Sequence, residues 1–336
     1  MIETAVVILN YNGKHFLQQF LPGVIAHSGN AKIIVADNAS TDDSVSFLQA
    51  NFSNQVEIIL LDSNRGYCGG YNAALKQVEA TYYVLLNSDV EVTAGWIDPV
   101  IGLFRQDQSI AAAQPKILSY QTRNEFEYAG AAGGFIDSLG YPFCRGRIFN
   151  SFEKDNGQYN DTRQIFWATG ACLFIRASVF HQHNGFDEDF FAHMEEIDLC
   201  WRIQQTGMKI FYMGSSHVYH VGGGTLAKSN PRKTYFNFRN GLSLLVKNLP
   251  TTQLFWKIPL RLMLDWVAAA KFLVTGSPAD AWAVVKAHGS FIKNLGRDYS
   301  KRSLPSQTPI GTIRKGLLLI DYYLKGKRNF KDLGNQ

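Results

Sequence analysis

The first ninety residues alternate short β-branched runs with helix-like stretches, and this alternation is the strongest constraint on what the chain can fold into. Residues 4–9, 32–36, 56–60 and 82–86 are apolar runs bounded by turn residues, the pattern of buried strands. Residues 13–27, 43–51 and 68–79 read as helices. Ser40, Thr41, Asp42 and Asp43 have the form of a capping box in front of the second. Strand–helix alternation predicts a mostly parallel α/β sheet with right-handed crossovers. Such sheets bind ligands at the carboxyl ends of their strands, so the polar residues just after each run are the first candidates for a site.

Further along, residues 126–168 are rich in glycine and aromatics and read as an irregular hairpin region. Residues 94–104, 176–183 and 195–206 read as helices, 209–213 as a strand and 233–248 as a longer helix. After Pro250 the character changes. Residues 259–275 and 278–295 read as two amphipathic helices, each with proline near its first turn. Lys257, Arg261 and Asp265 recur every four residues, which puts them on one helix face, and the remaining faces are strongly apolar. A chain of 336 residues exceeds the size at which one core stops growing. The expected division is an α/β catalytic body over 1–248 and a helical region over 249–336.

Charge follows this division. Residues 247–336 carry 15 Lys and Arg against 5 Asp and Glu, a local +10 within a chain of net charge +5. A basic region on a mildly acidic body suits an anionic membrane surface; a cap on the body or a homodimer contact is the other reading. No basic–aromatic nucleic-acid motif is present, so no nucleic-acid partner is expected. The four cysteines, Cys68, Cys144, Cys172 and Cys200, form no C-x-x-C pair, and their scatter fits a reducing compartment. The start lacks a basic segment followed by an apolar one, and no uncharged run nears the ~20 residues of a membrane span. The expected location is cytoplasmic, with the protein peripheral on the inner face of the membrane.

Four polar clusters follow the strands. Asn10, Tyr11, Asn12 and Gly13 come after the first, and Asp37, Asn38, Ala39, Ser40, Thr41 and Asp42 after the second. A carboxylate there can accept from a base N–H or a ribose hydroxyl, and a tyrosine can stack on a base; turn and cap roles explain Asp37 and Asn38 equally well. Asn64, Arg65, Gly66, Tyr67, Cys68, Gly69, Gly70, Tyr71 and Asn72 form a glycine-rich turn entering a helix, which lets backbone approach a ligand. It is not the dinucleotide pattern G-x-G-x-x-G. Asn87, Ser88, Asp89, Val90 and Glu91 follow the fourth strand, where a single carboxylate can hold Mg²⁺ or Mn²⁺ while a diphosphate supplies further oxygens.

In order and spacing, these four clusters are similar to family 2 glycosyltransferases, in particular their rhamnosyltransferase-like branch. The resemblance continues through Gly170 and Ala171, Gly185 to Phe191, Glu195 to Arg202, Tyr219 to Gly224, and Arg239 and Asn240. It spans about residues 4–248. It implies a GT-A fold, with Asp37 reading the base and Asp89 as the metal-binding member of a D-x-D motif whose first position is here Asn87. It implies that the acidic pair Glu195-Glu196 holds the catalytic base; the usual pair is Glu-Asp, so the second side chain is one methylene longer. Glu196 is the first choice for the base and Glu195 the second. Asn10, Tyr11, Asn12, Asp37, Asn64, Gly66, Gly70, Asn72, Asn87, Asp89 and Arg239 are the expected donor-binding set. Trp167, Gly170 and Ala171 are expected on the acceptor side.

Several of these residues keep a second reading. His220 can face the diphosphate or the metal, or be a satisfied structural histidine. Arg239 can contact phosphate or make a salt bridge, and Trp167 can be a platform or core. Asp198 is expected to pair with Arg202 at i+4. The resulting expectation is an inverting, metal-dependent enzyme. It would move a sugar, with rhamnose the leading choice, from a UDP- or dTDP-sugar to a hydroxyl of a cell-surface polysaccharide or lipid-linked glycan. The rivals are a sugar-1-phosphate nucleotidyltransferase and a non-enzymatic nucleotide-sugar-binding or scaffold protein.

Overall fold

A computed structural model describes residues 2–222, 230–302 and 310–334. In chain order the elements are β1 (Ile2–Asn10), α1 (Lys14–His27), β2 (Lys32–Asp37), α2 (Ser44–Phe52), β3 (Glu57–Leu60), α3 (Gly66–Leu75), β4 (Ala80–Asn87), β5 (Val90–Val92), α4 (Asp98–Gln106) and β6 (Ile110–Ser119). The short strands β7 (Gly134–Asp137), β8 (Pro142–Cys144), β9 (Arg147–Ile148), β10 (Ser151–Phe152) and β11 (Thr162–Ile165) follow. Then come β12 (Cys172–Arg176), α5 (Ala177–Gln182), α6 (Glu195–Gln205), β13 (Lys209–His220), α7 (Pro231–Asn248), α8 (Thr251–Val274), α9 (Pro278–Ser300) and β14 (Ile313–Arg314).

The main sheet has the order β11-β13-β6-β12-β4-β1-β2-β3, with β5 paired to β13. The half built by the alternating segment, β3-β2-β1-β4, is parallel as expected. The other half is mixed. β12 runs antiparallel between β4 and β6, while β6 and β13 are parallel to each other. Side chains alternate along β1: Ala5 and Val7 join one apolar layer with α3, α5 and α6, and Val6 and Ile8 join the other with α1, α2 and α4. Both faces are therefore covered, which is why the first strands read as unbroken apolar runs.

Residues 126–168 contain real strands. β7 to β10 form antiparallel steps of a second sheet, to which β14 returns in parallel at β7. Helix α2 begins at Asp43 without a side-chain cap. Ser40 is not its capping residue, because its hydroxyl donates to Asp37 Oδ1 at 2.6 Å. The region expected as a helix over 94–104 begins later, at Asp98, after β5 has paired with the end of β13. Helix α3 spans Gly66–Leu75 and stops short of Glu79. Helix α8 begins at Thr251, so Pro259 lies inside it on the exposed side and not at its first turn.

The segment after residue 249 is bound to the body. Helix α9 packs along α7, and Arg261 of α8 donates to Leu139 O at 3.0 Å. Farther on, Leu318 N donates to Asp137 Oδ2 at 2.9 Å, and Phe330 packs on Phe135 and Phe143. All four cysteines are free and buried. Among the described residues no helix is long and apolar enough to cross a membrane.

Candidate active site

The loops after β1, β2 and β3 are tied together at the carboxyl edge of the sheet. Asp37 is buried; its Oδ1 accepts from Asn10 Nδ2 at 2.9 Å and from the Ser40 hydroxyl, and its Oδ2 accepts from Ser40 N at 2.9 Å. Asn12 sits at φ 52° and accepts from Thr41 N at 2.7 Å and Asp42 N at 3.2 Å. Asn38 donates to Asn64 Oδ1 at 3.1 Å and accepts from Arg65 N at 3.0 Å. Tyr11 is left 46% exposed at the rim of this ledge, with its ring open to a partner.

Gly66 has a positive φ of 67°, and a Cβ there would lie 2.7 Å from the Phe191 ring. Glycine lets the start of α3 pass under that ring; Tyr67 N then donates to Phe191 O at 3.2 Å. Tyr67 and Tyr71 meet edge to face at 4.8 Å. The Tyr67 hydroxyl donates to Gly170 O at 2.7 Å and the Tyr71 hydroxyl to Leu86 O at 3.1 Å. Asn87 N donates to Ala171 O at 3.0 Å. Gly170 and Ala171 therefore join the end of β4 to the α3 tyrosines. Gly70 packs on Leu9 and Asn38. Asn72 points away from the cleft: it donates to Phe186 O at 2.8 Å and accepts from Phe186 N at 3.0 Å, anchoring the 185–191 turn.

Asp89 follows β4, and its carbonyl accepts from Val221 N at 3.0 Å. His220 ends β13. Its Nε2 lies 3.2 Å from Asp89 Oδ1 and its Nδ1 lies 3.2 Å from Glu127 Oε2; Asn87 Nδ2 is 3.5 Å from Nε2. Burial disfavours a charged imidazole, but the two carboxylates outweigh it and push His220 up to about 10. Burial likewise pushes the Glu127 carboxyl up, the imidazole pulls it down, and the net direction is down. Glu127 carried no periodicity or motif that singled it out in the sequence. The structure brings together Asp89 and His220, the two residues expected at a metal. Of the expected Gly222, Gly223 and Gly224 turn, Gly223 and Gly224 lie outside the described residues.

Glu195 and Glu196 open α6 after a left-handed loop: Phe191, His193 and Met194 have φ of 64°, 69° and 73°. Such values in non-glycine residues persist only where the surroundings enforce them. Here α7 enforces them. Asn240 Nδ2 reaches the carbonyls of Phe190, Ala192 and His193 at 3.1, 3.0 and 2.7 Å, and Arg239 reaches those of Asp189 and Phe190 at 2.8 and 2.9 Å. Arg239 is thus committed to the loop backbone and makes no salt bridge among the described residues. Asn240→Ala removes the amide that makes all three contacts and is expected to cost about 1–3 kcal/mol, read as a lower midpoint in denaturant unfolding.

The Oε2 atoms of both Glu195 and Glu196 are buried without a hydrogen-bond partner. Burial pushes both carboxyls up, and the neighbouring Glu196 charge raises Glu195 further. Glu195 is therefore the harder of the two to ionise, and Glu196 is pushed up to about 7. The charges of both carboxyls push the Tyr67 hydroxyl up and that of Asp89 pushes the Tyr71 hydroxyl up, each beneath the larger effect of burial. Asp198 turns the other way, into a buried network with Arg202 at 2.8 Å, Lys247 at 2.9 Å and Asn248 at 2.9 Å. Trp167 is buried, its Nε1 donating to Phe135 O at 2.9 Å, so its ring packs in the core and offers no open platform.

A cavity of about 640 Å³ lies beyond the Asp187–Asp189 turn, lined by Asn72, His183, Arg202, Lys247 and Lys301 among others. Most of the charges named here are already matched: Lys247 with Asp187 and Asp198, Lys301 with Asp187, and Arg202 with Asp198. The strand-end ledge with its exposed tyrosine, together with Glu195 and Glu196 and their unpartnered Oε2 atoms, is the better candidate for chemistry.

Comparison with known proteins agrees with this architecture. The profile of glycosyl transferase family 2 matches residues 5–183. An N-acetylglucosaminyl-diphospho-decaprenol L-rhamnosyltransferase of Mycobacterium tuberculosis is 25% identical over 281 residues, covering 76% of this chain and 87% of the relative. The rhamnosyltransferase WbbL of Escherichia coli is 23% identical over 224 residues, covering 64% and 82%. GalNAc-T7, solved with UDP, GalNAc and Mn²⁺, superposes with a TM-score of 0.59 at 13% identity over 89% of this chain and 58% of that one. Staphylococcus aureus TarS superposes at 0.56, with 15% identity over 90% and 83%. The fold is GT-A, the activity is that of a glycosyltransferase, and the chain belongs to glycosyl transferase family 2.

Proposed function

We propose that this chain is an inverting, metal-dependent glycosyltransferase that moves a sugar from a UDP- or dTDP-sugar to a hydroxyl of a lipid-linked glycan or growing cell-surface polysaccharide. Rhamnose is the leading choice of sugar, because the relatives named above are rhamnosyltransferases. The observation that carries the reading is the pair of adjacent carboxyls at Glu195 and Glu196, whose Oε2 atoms are buried without a hydrogen-bond partner.

Asp37 accepts hydrogen bonds from the nucleoside, and Tyr11 covers the base from the rim. Asp89 Oδ1 and His220 Nε2 would hold two positions of a divalent ion once the ion displaces the Nε2 proton that now faces Asp89, with Glu127 on Nδ1 fixing the ring. Among the described residues no group of three or more His, Cys, Asp or Glu could hold an ion alone, so a nucleoside diphosphate is needed to complete the shell. Mn²⁺ suits a mixed nitrogen and oxygen set better than Mg²⁺. When bound, such an ion stabilises the negative charge of the departing diphosphate.

Glu196 accepts the proton of the acceptor hydroxyl as that oxygen bonds to the anomeric carbon. The bond from that carbon to the phosphate oxygen breaks, and its electron pair leaves with the diphosphate. Attack from the side opposite the leaving group inverts the configuration. Glu195, kept protonated, leaves Glu196 as the carboxylate of the pair that ionises first. The clamp from Arg239 and Asn240 holds the loop that aims it.

The test is a transfer assay followed across pH. The Glu196 carboxyl is raised to about 7, and the base works only when ionised. Log(kcat/KM) is therefore expected to climb with unit slope below about pH 7 and to level off above it. Stability has the opposite sign: the folded state binds the extra proton, so stability falls as pH rises from the ordinary carboxylate range to about 7. A rate that is flat from pH 5 to 8 sinks the assignment of Glu196. Membership of the family weighs against the nucleotidyltransferase and scaffold readings, and neither of them needs an unpartnered acidic pair.

A further inference from the structure

Helix α8 is built inside out. Its buried residues are Lys257, Arg261, Asp265 and Ala269. Arg261 pairs with Asp265 at 3.0 Å and lies over the Tyr141 ring at 3.8 Å, and Asp265 lies 3.3 Å from His288 of α9. The charged face is thus spent on the catalytic body, and the apolar faces turn outward. Phe255, Trp256, Pro259, Met263, Trp266, Val267, Ala270, Leu273 and Val274 are all exposed, a stripe of helical period along about 30 Å of helix. Trp256, Trp266 and Trp282 are 52%, 53% and 60% exposed. Trp266 meets His288 edge to face, so the α8 stripe abuts α9, whose own outer face carries Trp282, Ile292, Leu295 and Tyr299. The turn over residues 320–324 extends the patch, because Lys271 lies over the Tyr323 ring at 4.6 Å and Leu324 is exposed beside it. An apolar surface of this continuity marks an interaction site.

Charge decides what the surface fits. Every acid of the two helices is used internally: Asp265 with Arg261, Asp298 with Ser243 and Arg297, and Asp280 with Thr234. Lys271, Lys286 and Lys293 are exposed. Lys286 and Lys293 share a helix face with Trp282, and Lys271 shares one with Val267 and Val274. A symmetric dimer through this face would set lysine against lysine with no acid to offset them. Tryptophan at the rim, aliphatic side chains between, and lysine without exposed acid are the chemistry of a helix lying in an anionic lipid interface.

We propose that α8, α9 and the 320–324 turn form a docking face for an anionic bilayer. The consequence for the site runs through α9. Arg297 and Lys301, near its end, pair with Asp189 and Asp187 at 3.0 and 2.6 Å, in the turn that leads to Glu195. Docking therefore fixes the acidic pair relative to the lipid surface.

Flotation of the full-length protein tests this independently of any sugar transfer. Vesicles of phosphatidylcholine alone are compared with vesicles that also contain phosphatidylglycerol. The protein is expected to float with the second kind and be released from it by salt. The Lys271→Glu, Lys286→Glu, Lys293→Glu triple variant is expected to lose on the order of 100-fold in partitioning, given about 1 kcal/mol per basic residue. The Trp256→Ser, Trp266→Ser, Trp282→Ser variant is expected to lose binding while keeping its melting temperature, because all three rings are exposed. Absence of flotation, or flotation that both variants retain, overturns the proposal. So does a dimer in sedimentation that the tryptophan variant splits, which would assign the face to a second copy.

Discussion

Glu196→Gln is expected to lower kcat on the order of 10²–10⁴-fold, the usual worth of a general base, with little change in donor affinity. The substitution keeps the length and shape of the side chain and removes only its ability to take a proton. Glu195→Gln should do far less. Burial and the neighbouring Glu196 charge push the Glu195 carboxyl up and make it the harder of the two to ionise, and an amide imitates a neutral acid. The asymmetry between two adjacent residues of one helix is the informative quantity, measured by steady-state transfer and by donor titration of both variants. Full transfer by Glu196→Gln together with its loss in Glu195→Gln would move the base to Glu195.

Asp89→Ala is expected to remove the metal dependence of donor binding altogether. Its carboxylate is one of the two protein groups proposed to hold the ion. Losing it forfeits several kcal/mol of leaving-group stabilisation, about 10²-fold or more in kcat/KM. The donor should then bind equally weakly with and without Mn²⁺. Asp37→Ala serves as the contrast. It removes a nucleoside contact but leaves Asp89 and His220 in place, so its donor affinity falls while the response to Mn²⁺ persists. Isothermal titration of both variants with the nucleoside diphosphate, with and without Mn²⁺, separates the two roles.

Much of the donor ledge was legible because it is local. Asp37, Asn64 and Asp89 each follow directly on a strand whose apolar run is visible, and a parallel sheet collects such ends on one edge. What was not legible depends on contacts between distant segments. β12 inserts antiparallel between β4 and β6, and five buried residues cannot be told from other short apolar runs by their period. Glu127 acts only because the chain folds back to set it on the Nδ1 side of His220. The left-handed φ values at Phe191, His193 and Met194 fall on residues that carry no glycine signal, and their cause lies in α7. Asn72 and Trp167 have residue types suited to a ligand site, yet the first serves the 185–191 turn and the second the core. In α8 the period of Lys257, Arg261 and Asp265 correctly placed them on one face. Which face is buried was decided by the Leu139 carbonyl, Tyr141 and His288, which give buried charges their partners.

The most direct test of the central claim, transfer from a nucleoside-diphosphate sugar held through Asp89 and His220, is a thermal-shift screen of the wild-type protein. UDP-, dTDP- and GDP-sugars are each measured with and without Mn²⁺. The expected result is a rise in melting temperature of several degrees for one diphosphate donor, present only with Mn²⁺ and larger than for the free sugar or the nucleoside monophosphate. An equal shift with and without the ion, or no shift with any donor, would contradict it.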